Sequence, residues 1–467
     1  MSARSPATAR LLDFVRAQHV LPAAVRADAE RLLADTLAVG AAGSTAPGAD
    51  GVLQAARGWG QGSEARLLSA TTPLPLAGGA GGGPIDPNDV AAITAHPNPS
   101  RKREGLAHLP AASAAFVNAF RIHCLEWDAV HEPAVVHALS VVTAALGASI
   151  DRMGGCNPDA ALTALAVGVD VASGLGIAAT SPLKFFRPAT AGCIGATLAV
   201  ARIEGVEPIE DVLGLAYSFC AGTMQAHVEG SIALPLQVAN AARSAVMAVD
   251  LVKAGLTGPH DALEGPFGYF RLIDDGALSM YTDRIGERWL ISEVSTKPYP
   301  SGRASHGALG AIAEMSIASG DIEWIELFAP PLIKRLVGRP FMTAMTPAYA
   351  RLCLPLLSAL MLSDGRIDPR RFTPATFADP AIADLAGRVI VNDDGNSDPN
   401  ALSPQRLVVT LKDGRKIERT IPATLGSPDA PLSPDQSAAK RALARELAPH
   451  ADARIFDNPL GWFTEPQ

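Results

Sequence analysis

The chain is poor in charge: 18% of its 467 residues are Asp, Glu, Lys or Arg, against 48% hydrophobic ones. That balance excludes an intrinsically disordered chain, which combines low hydrophobicity with high charge. Net charge is −8, from 39 Lys plus Arg against 47 Asp plus Glu. The broad basic face of a nucleic-acid binder is therefore not expected, although a local basic pocket for an acidic substrate is compatible with it. Five cysteines, at 124, 156, 193, 220 and 353, form no Cys-x-x-Cys. An odd, scattered set argues against a disulfide framework and for a reducing compartment. Aromatics make up only 5%, so the core has to be packed from Ala, Leu and Val. Long hydrophobic runs are missing as well. A long charge-free stretch, Pro133 to Ile150, starts at a proline and carries His137 among Ser, Thr and Gly. A membrane span needs about 20 uniformly apolar residues, so a buried helix is expected there. Met1 to Gln18 mixes charged and apolar residues without an apolar signal core. The expectation is a cytoplasmic, soluble protein with no membrane or nucleic-acid partner, built of two large or three smaller units.

Apolar spacing is helical from Thr8 to Gly43, with Leu33 and Leu37 on one face. Gly and Pro dominate Thr71 to Pro99, and the run Gly78 to Pro84 can hold no regular element. Its spacing fits neither G-x-G-x-x-G nor G-x-x-x-x-G-K-[ST], so a mobile loop is expected and not a phosphate loop. From Pro110 to about Leu256 the chain reads as buried helices, with Gly168, Gly174, Gly176, Gly192 and Gly195 allowing close helix approach. After about residue 290 strand-like segments appear: Trp324–Phe328, Arg388–Val391 and Arg406–Leu411. Asp413-Gly414 marks a hairpin into Lys416–Ile421. Tyr349 to Leu362 reads as one helix, and Ser433 as the cap of a helix reaching Leu447. The fold class expected is mainly α with an α+β lid. Residues 1–290, completed by 425–467, form the helical domain, and 291–424 the lid.

His131-Glu132-Pro133-Ala134-Val135-Val136-His137 resembles a zinc-protease helix only superficially. The second histidine of H-E-x-x-H has to follow the first by four residues to share a metal; position 135 is Val, and Pro133 breaks the helix. What remains is a polar cluster, Glu126, Asp128, His131 and His137, just before the apolar run. A carboxylate beside an imidazole can hold its tautomer and raise its basicity; alternatively the acids simply cap the next helix. A second cluster, Lys297 to His306, has prolines that fix an extended turn and offers Lys297, Ser301, Arg303 and His306 to a pocket. A plain linker is the alternative.

In this order, several segments resemble the MmgE/PrpD family. They are Ala34–Gly40; Val117–Phe120 through Glu126-Trp127-Asp128 to His137; Phe186-Arg187-Pro188 to Gly192; Ala239–Arg243; Leu256–Pro259 with Leu263-Glu264-Gly265; and Lys297–Pro300. The resemblance implies a large helical domain with a smaller α+β lid, a dimer, and a metal-free, cofactor-free enzyme. It also makes Thr71–Pro99 a local insertion. Family members remove or move a proton α to a carboxylate of small polycarboxylates. The sequence departs from the family at Ala129, Ala138, Arg187, Leu234, Gln237 and Gly302, while His137 and Lys297 are kept.

The expected activity is therefore a metal-independent lyase, dehydratase-like, acting on a small di- or tricarboxylate. An epimerase or isomerase, or an inactive carboxylate-binding paralogue, are the alternatives. His137, Asp128 and Lys297 are the expected catalytic groups. Arg187, Glu126, Gln237, Ser301, Arg303 and His306 are the expected substrate-binding ones. Arg187, always cationic, suits a bidentate carboxylate clamp, or else a salt bridge to Glu126.

Overall fold

Alanine and glycine decide how the helices of this chain meet. The computed structural model describes residues 5–69, 108–315, 317–398 and 401–466, so Thr71–Pro99 lies outside the described residues. Helices Ala111–His123, Ala138–Arg152, Pro158–Ile177, Arg187–Glu204 and Ala233–Lys253 pack on one another as the central layer. A Cβ placed on Gly168 would lie 2.8 Å from the Ala199 Cβ and 3.0 Å from the Gly195 carbonyl oxygen. Any larger residue would push these two helices apart and open voids around them. Pro158–Ile177 is long and apolar enough to cross a membrane, but 89% of its most apolar window is buried inside the protein.

The helix expected from Pro133 starts later, at Ala138. Residues 132–135 instead form a tight turn, in which the Val135 N–H donates to the Glu132 carbonyl at 3.0 Å. His131 and Val136 pair across its base. Proline has no N–H for a helical ladder, so the chain turns before it coils.

Eight short strands occur among the described residues: β1 (Ala65–Arg66), β2 (His108–Leu109), β3 (Val130–His131), β4 (Val294–Ser295), β5 (Ile322–Ala329), β6 (Val389–Asp393), β7 (Gln405–Leu411) and β8 (Lys416–Ile421). The last four form one sheet, order β6-β5-β7-β8, with β5 and β6 parallel and the rest antiparallel. Gly414 takes φ 85° in the β7–β8 turn, a left-handed position that suits Gly. Ile325, Leu327, Leu407 and Val409 of this sheet belong to an apolar core, within 304–421, separate from that of the helical layer. Ser433 forms a capping box with Gln436 at the start of Pro434–Leu447, which packs back on Ala23–Ala42.

The single helix expected over Tyr349–Leu362 is two, Pro347–Ala350 and Leu354–Asp364. Pro355 sits in the first turn of the second; its ring would clash with the carbonyl four residues back, so the chain breaks at 351–353.

Candidate active site

The two-residue pairing of β3 with β4 assembles the site. Its register sets Val130 against Ser295, which continues to Asp128 opposite Lys297. Helix Ala111–His123 ends at His123, and the next residues turn sharply. Glu126 takes φ 54° there, with its N–H donating to the His123 carbonyl at 2.9 Å. A non-glycine residue in that region costs about 1–2 kcal/mol, strain of the kind stored at functional sites. His137 is the residue just before helix Ala138–Arg152.

Asp128 is the hub and is fully buried. Its Oδ2 accepts from His123 Nδ1 at 2.8 Å and from the Ser140 hydroxyl. His137 Nδ1 lies 3.1 Å from the same oxygen, close enough to pair though not aligned as a hydrogen bond. Lys297 Nζ donates to the Glu126 carbonyl at 3.0 Å and to Oε2 at 3.3 Å, and stands 3.9 Å from Asp128 Oδ1. His123 Nε2 is 3.6 Å from Glu126 Oε1. The two imidazoles meet edge to face, centroids 5.0 Å apart.

These contacts push the two histidines in opposite directions. Burial opposes the charge on His123, but Asp128 and Glu126 on either side outweigh it and raise its pKa. For His137 burial wins; with Lys297 and His123 nearby, one shared carboxylate cannot compensate, and the pKa falls. Burial would raise Asp128 and Glu126, yet both are held below the usual carboxylate range. Asp128 is lowered by His123 and His137, Glu126 by Lys297, His123 and His137. The two shifts thus favour the charged imidazolium at His123 and the neutral imidazole at His137. Asp128 beside His137 Nδ1 assigns the proton to that nitrogen and leaves the Nε2 lone pair available.

A cavity of about 70 Å³ opens on this cluster, lined by His123, Glu126 and His137 together with Val135, Phe186, Leu234 and Val337. His137 is the more accessible imidazole, its side chain 13% exposed against 1% for His123. A larger cleft of about 550 Å³ lies elsewhere, lined by Asp28, Arg31, Asp35 and Lys440. Its Lys440 is paired with Asp35 at 2.7 Å and its Arg31 with Asp28 at 3.0 Å. No imidazole of the described residues lines it, so the smaller cavity is the candidate site.

Several expected binding residues are engaged elsewhere. Arg187 lines the cavity but is no free clamp: Nε and Nη2 bind Asp274 at 3.1 and 3.3 Å, Nη2 the Ser181 carbonyl and Nη1 that of Ala134. The partner is thus Asp274, not Glu126. Arg303 also lines it, with Nε and Nη2 on Glu132 Oε1 at 3.0 and 2.8 Å and the Leu425 and Thr424 carbonyls taking the rest. Ser301 and His306 bond to each other at 3.1 Å, fully buried and away from the cavity lining. Burial, with Arg303 and Lys297 near, holds His306 well below the usual imidazole pKa, as a neutral core group. Gln237 donates to the Thr223 carbonyl at 3.2 Å and does not line the cavity. Lys297 is fully buried behind Glu126 and does not line it either. His131 Nδ1 accepts the Ala134 N–H at 3.2 Å and serves the hairpin.

Sequence reasoning missed His123, His227 and Asp274. His123 had a signal, a polar residue ending an apolar helix three positions before Glu126. His227 lines the cavity, its pKa lowered to about 4 by burial and by Arg339. Asp274 lies 87 residues from Arg187, and no local pattern announces that pair.

His123, Asp128 and His137 place one ligand atom each within 4.8 Å of one another, the geometry of a possible metal site. The donor set does not suit a divalent ion. Asp128 Oδ2 already takes two donors, and the Lys297 ammonium stands 3.9 Å from Oδ1. A dication would face a resident cation across one carboxylate. Catalytic turnover is expected to survive EDTA; loss on chelation, restored by one particular divalent ion, would refute this.

Residues 89–279 match the MmgE/PrpD N-terminal domain and residues 299–458 the MmgE/PrpD C-terminal domain, and the chain belongs to the MmgE/PrpD family. It is 27% identical over 327 residues to cis-aconitate decarboxylase of Homo sapiens, covering 66% of each chain, just under two thirds of that relative. It is 25% identical over 350 residues to cis-aconitate decarboxylase of Mus musculus, covering 70% of each. The similarity is therefore to enzymes of lyase type.

Proposed function

We propose that this protein is a lyase whose first step removes a proton α to a carboxylate of a small organic acid, with His137 as the base. The observation that carries this is a neutral imidazole on a cavity wall with its Nδ1 turned to a buried, ionised Asp128. In that step the C–H electron pair moves into the carboxylate as an enolate, and the proton goes to Nε2. The imidazolium of His123 and the ammonium of Lys297 supply positive potential as that charge grows. The enolate pair then forms a C=C bond as the β-hydroxyl leaves, taking a proton from the His123 imidazolium to depart as water. Segment 291–424 is the proposed lid: Gly302, Arg303, Val337, Leu352 and Leu402 form one wall, opposite the helical residues.

The test is a panel of organic acids incubated in D₂O and followed by proton NMR. At least one acid should lose its α-proton signal or form an alkene, and His137→Asn should abolish this. Failure of the wild type on every acid, or an unimpaired variant, would refute the reading.

A further inference from the structure

We infer that the site takes an acid with a single carboxylate on an apolar body, and that Arg351 holds that carboxylate. The inference rests on the lyase reading for the chemistry, and on the cavity itself for the binding.

Arg351 lies in the break between helices Pro347–Ala350 and Leu354–Asp364, its carbonyl tied to the Gly302 N–H at 3.0 Å. It is 3% exposed, and its side chain makes no hydrogen bond or ion pair with any described residue. The Phe372 ring lies 5.1 Å from its Cζ, and the Glu126 carboxylate acts on its charge through space without a hydrogen bond. A buried guanidinium without an acceptor is costly to keep, and an arriving carboxylate would offset that cost with two parallel charge-assisted bonds. Arg351 lines a small pocket of about 10 Å³, the size of one water, that shares His123, Glu126, Leu234 and Leu352 with the 70 Å³ cavity. Arg351 does not itself line the larger cavity, and an acid held on it would have to reach past this shared wall to put its α-carbon at His137.

Further carboxylates find no free guanidinium among the described residues of the lining. Arg187 and Arg303, the other guanidinium groups among the described residues that line these spaces, already hold Asp274 and Glu132. Glu126 lines both spaces and is kept ionised by Lys297 and His123 despite burial, so it would repel any anion that is not paired with a cation of its own, as the first is with Arg351. Val135, Leu183, Phe186, Leu336 and Leu402 offer an apolar surface instead. Val135 holds φ 52°, strained for a β-branched residue, while lining that wall.

The experiment is calorimetric titration of the wild type, Arg351→Met and Arg351→Lys with 2-methylbutanoate, succinate and citrate, plus a thermal melt of each protein. The wild type should bind 2-methylbutanoate at least about 10-fold more tightly than citrate. Arg351→Met should lose at least about 10-fold of that affinity, and Arg351→Lys should keep part of it. Arg351→Met should melt no lower than the wild type, since it removes an unpaired buried charge. A preference for citrate, no binding of 2-methylbutanoate to the wild type, or a lower melting temperature for Arg351→Met would overturn the inference. Binding with the expected preference but no α-proton exchange in D₂O would instead count against the lyase reading alone.

Discussion

Replacing His137 with Asn should lower kcat by about 10²–10⁴-fold, the usual contribution of a positioned base. KM should change little, because the variant keeps the cavity's shape and removes only a proton acceptor. Folding should survive, since Asp128 keeps the His123 and Ser140 donors. In the wild type the acid limb of kcat/KM should fall below the ordinary imidazole pKa of 6.5, because burial, Lys297 and His123 lower His137. Asp128 is the opposing group on that titration, and Glu126 the other carboxylate of the cluster. A variant in which KM rises while kcat holds would make His137 a binding group instead.

Lys297→Met should be the most destabilising single change at the site. The ammonium is fully buried against Glu126 and near Asp128. Removing one partner leaves buried charge uncompensated, which costs about 3–5 kcal/mol. Urea unfolding measured across pH checks this. Glu126 and Asp128 have folded-state pKa values below their ordinary 4.5 and 3.8. Their contribution to stability is therefore present above those ordinary values and lost as pH falls through the folded ones. His123, raised above 6.5, contributes below that value and loses its contribution as pH rises through its folded pKa. Without Lys297 the Glu126 pKa rises, so the penalty should be largest at neutral pH and shrink once Glu126 is protonated. An equal penalty at all pH values would mean that Lys297 acts through packing alone.

Much of the fold was legible in the sequence because its signals are local. The Asp413-Gly414 turn, the Ser433 cap and the small residues between Gly168 and Gly195 each act within a few residues or within one helix face. The site was legible only in part. Glu126, Asp128 and His137 are close in sequence, and the structure brings them together with Lys297. That meeting depends on β3 and β4, strands of two residues each, too short to leave any periodicity. The partners of Arg187 and Arg303 are remote carboxylates, Asp274 and Glu132, so a cation that looks free in the sequence is already committed in the fold. Arg351 was hidden inside an apolar pattern that reads as one helix, and Pro355 breaks that helix where the side chain is needed.

The proposed chemistry depends on one electrostatic arrangement, two histidines on Asp128 whose pKa values are pushed in opposite directions. Nitrogen-15 NMR of the imidazoles, titrated from pH 4 to 9 (about the range both rings can cover) and assigned with His123→Asn and His137→Asn, measures it directly. The predicted result is a neutral His137 protonated on Nδ1 at pH 7, with the His123 midpoint above 6.5 and the His137 midpoint below it. A cationic His137, or two rings titrating together near 6.5, would contradict it.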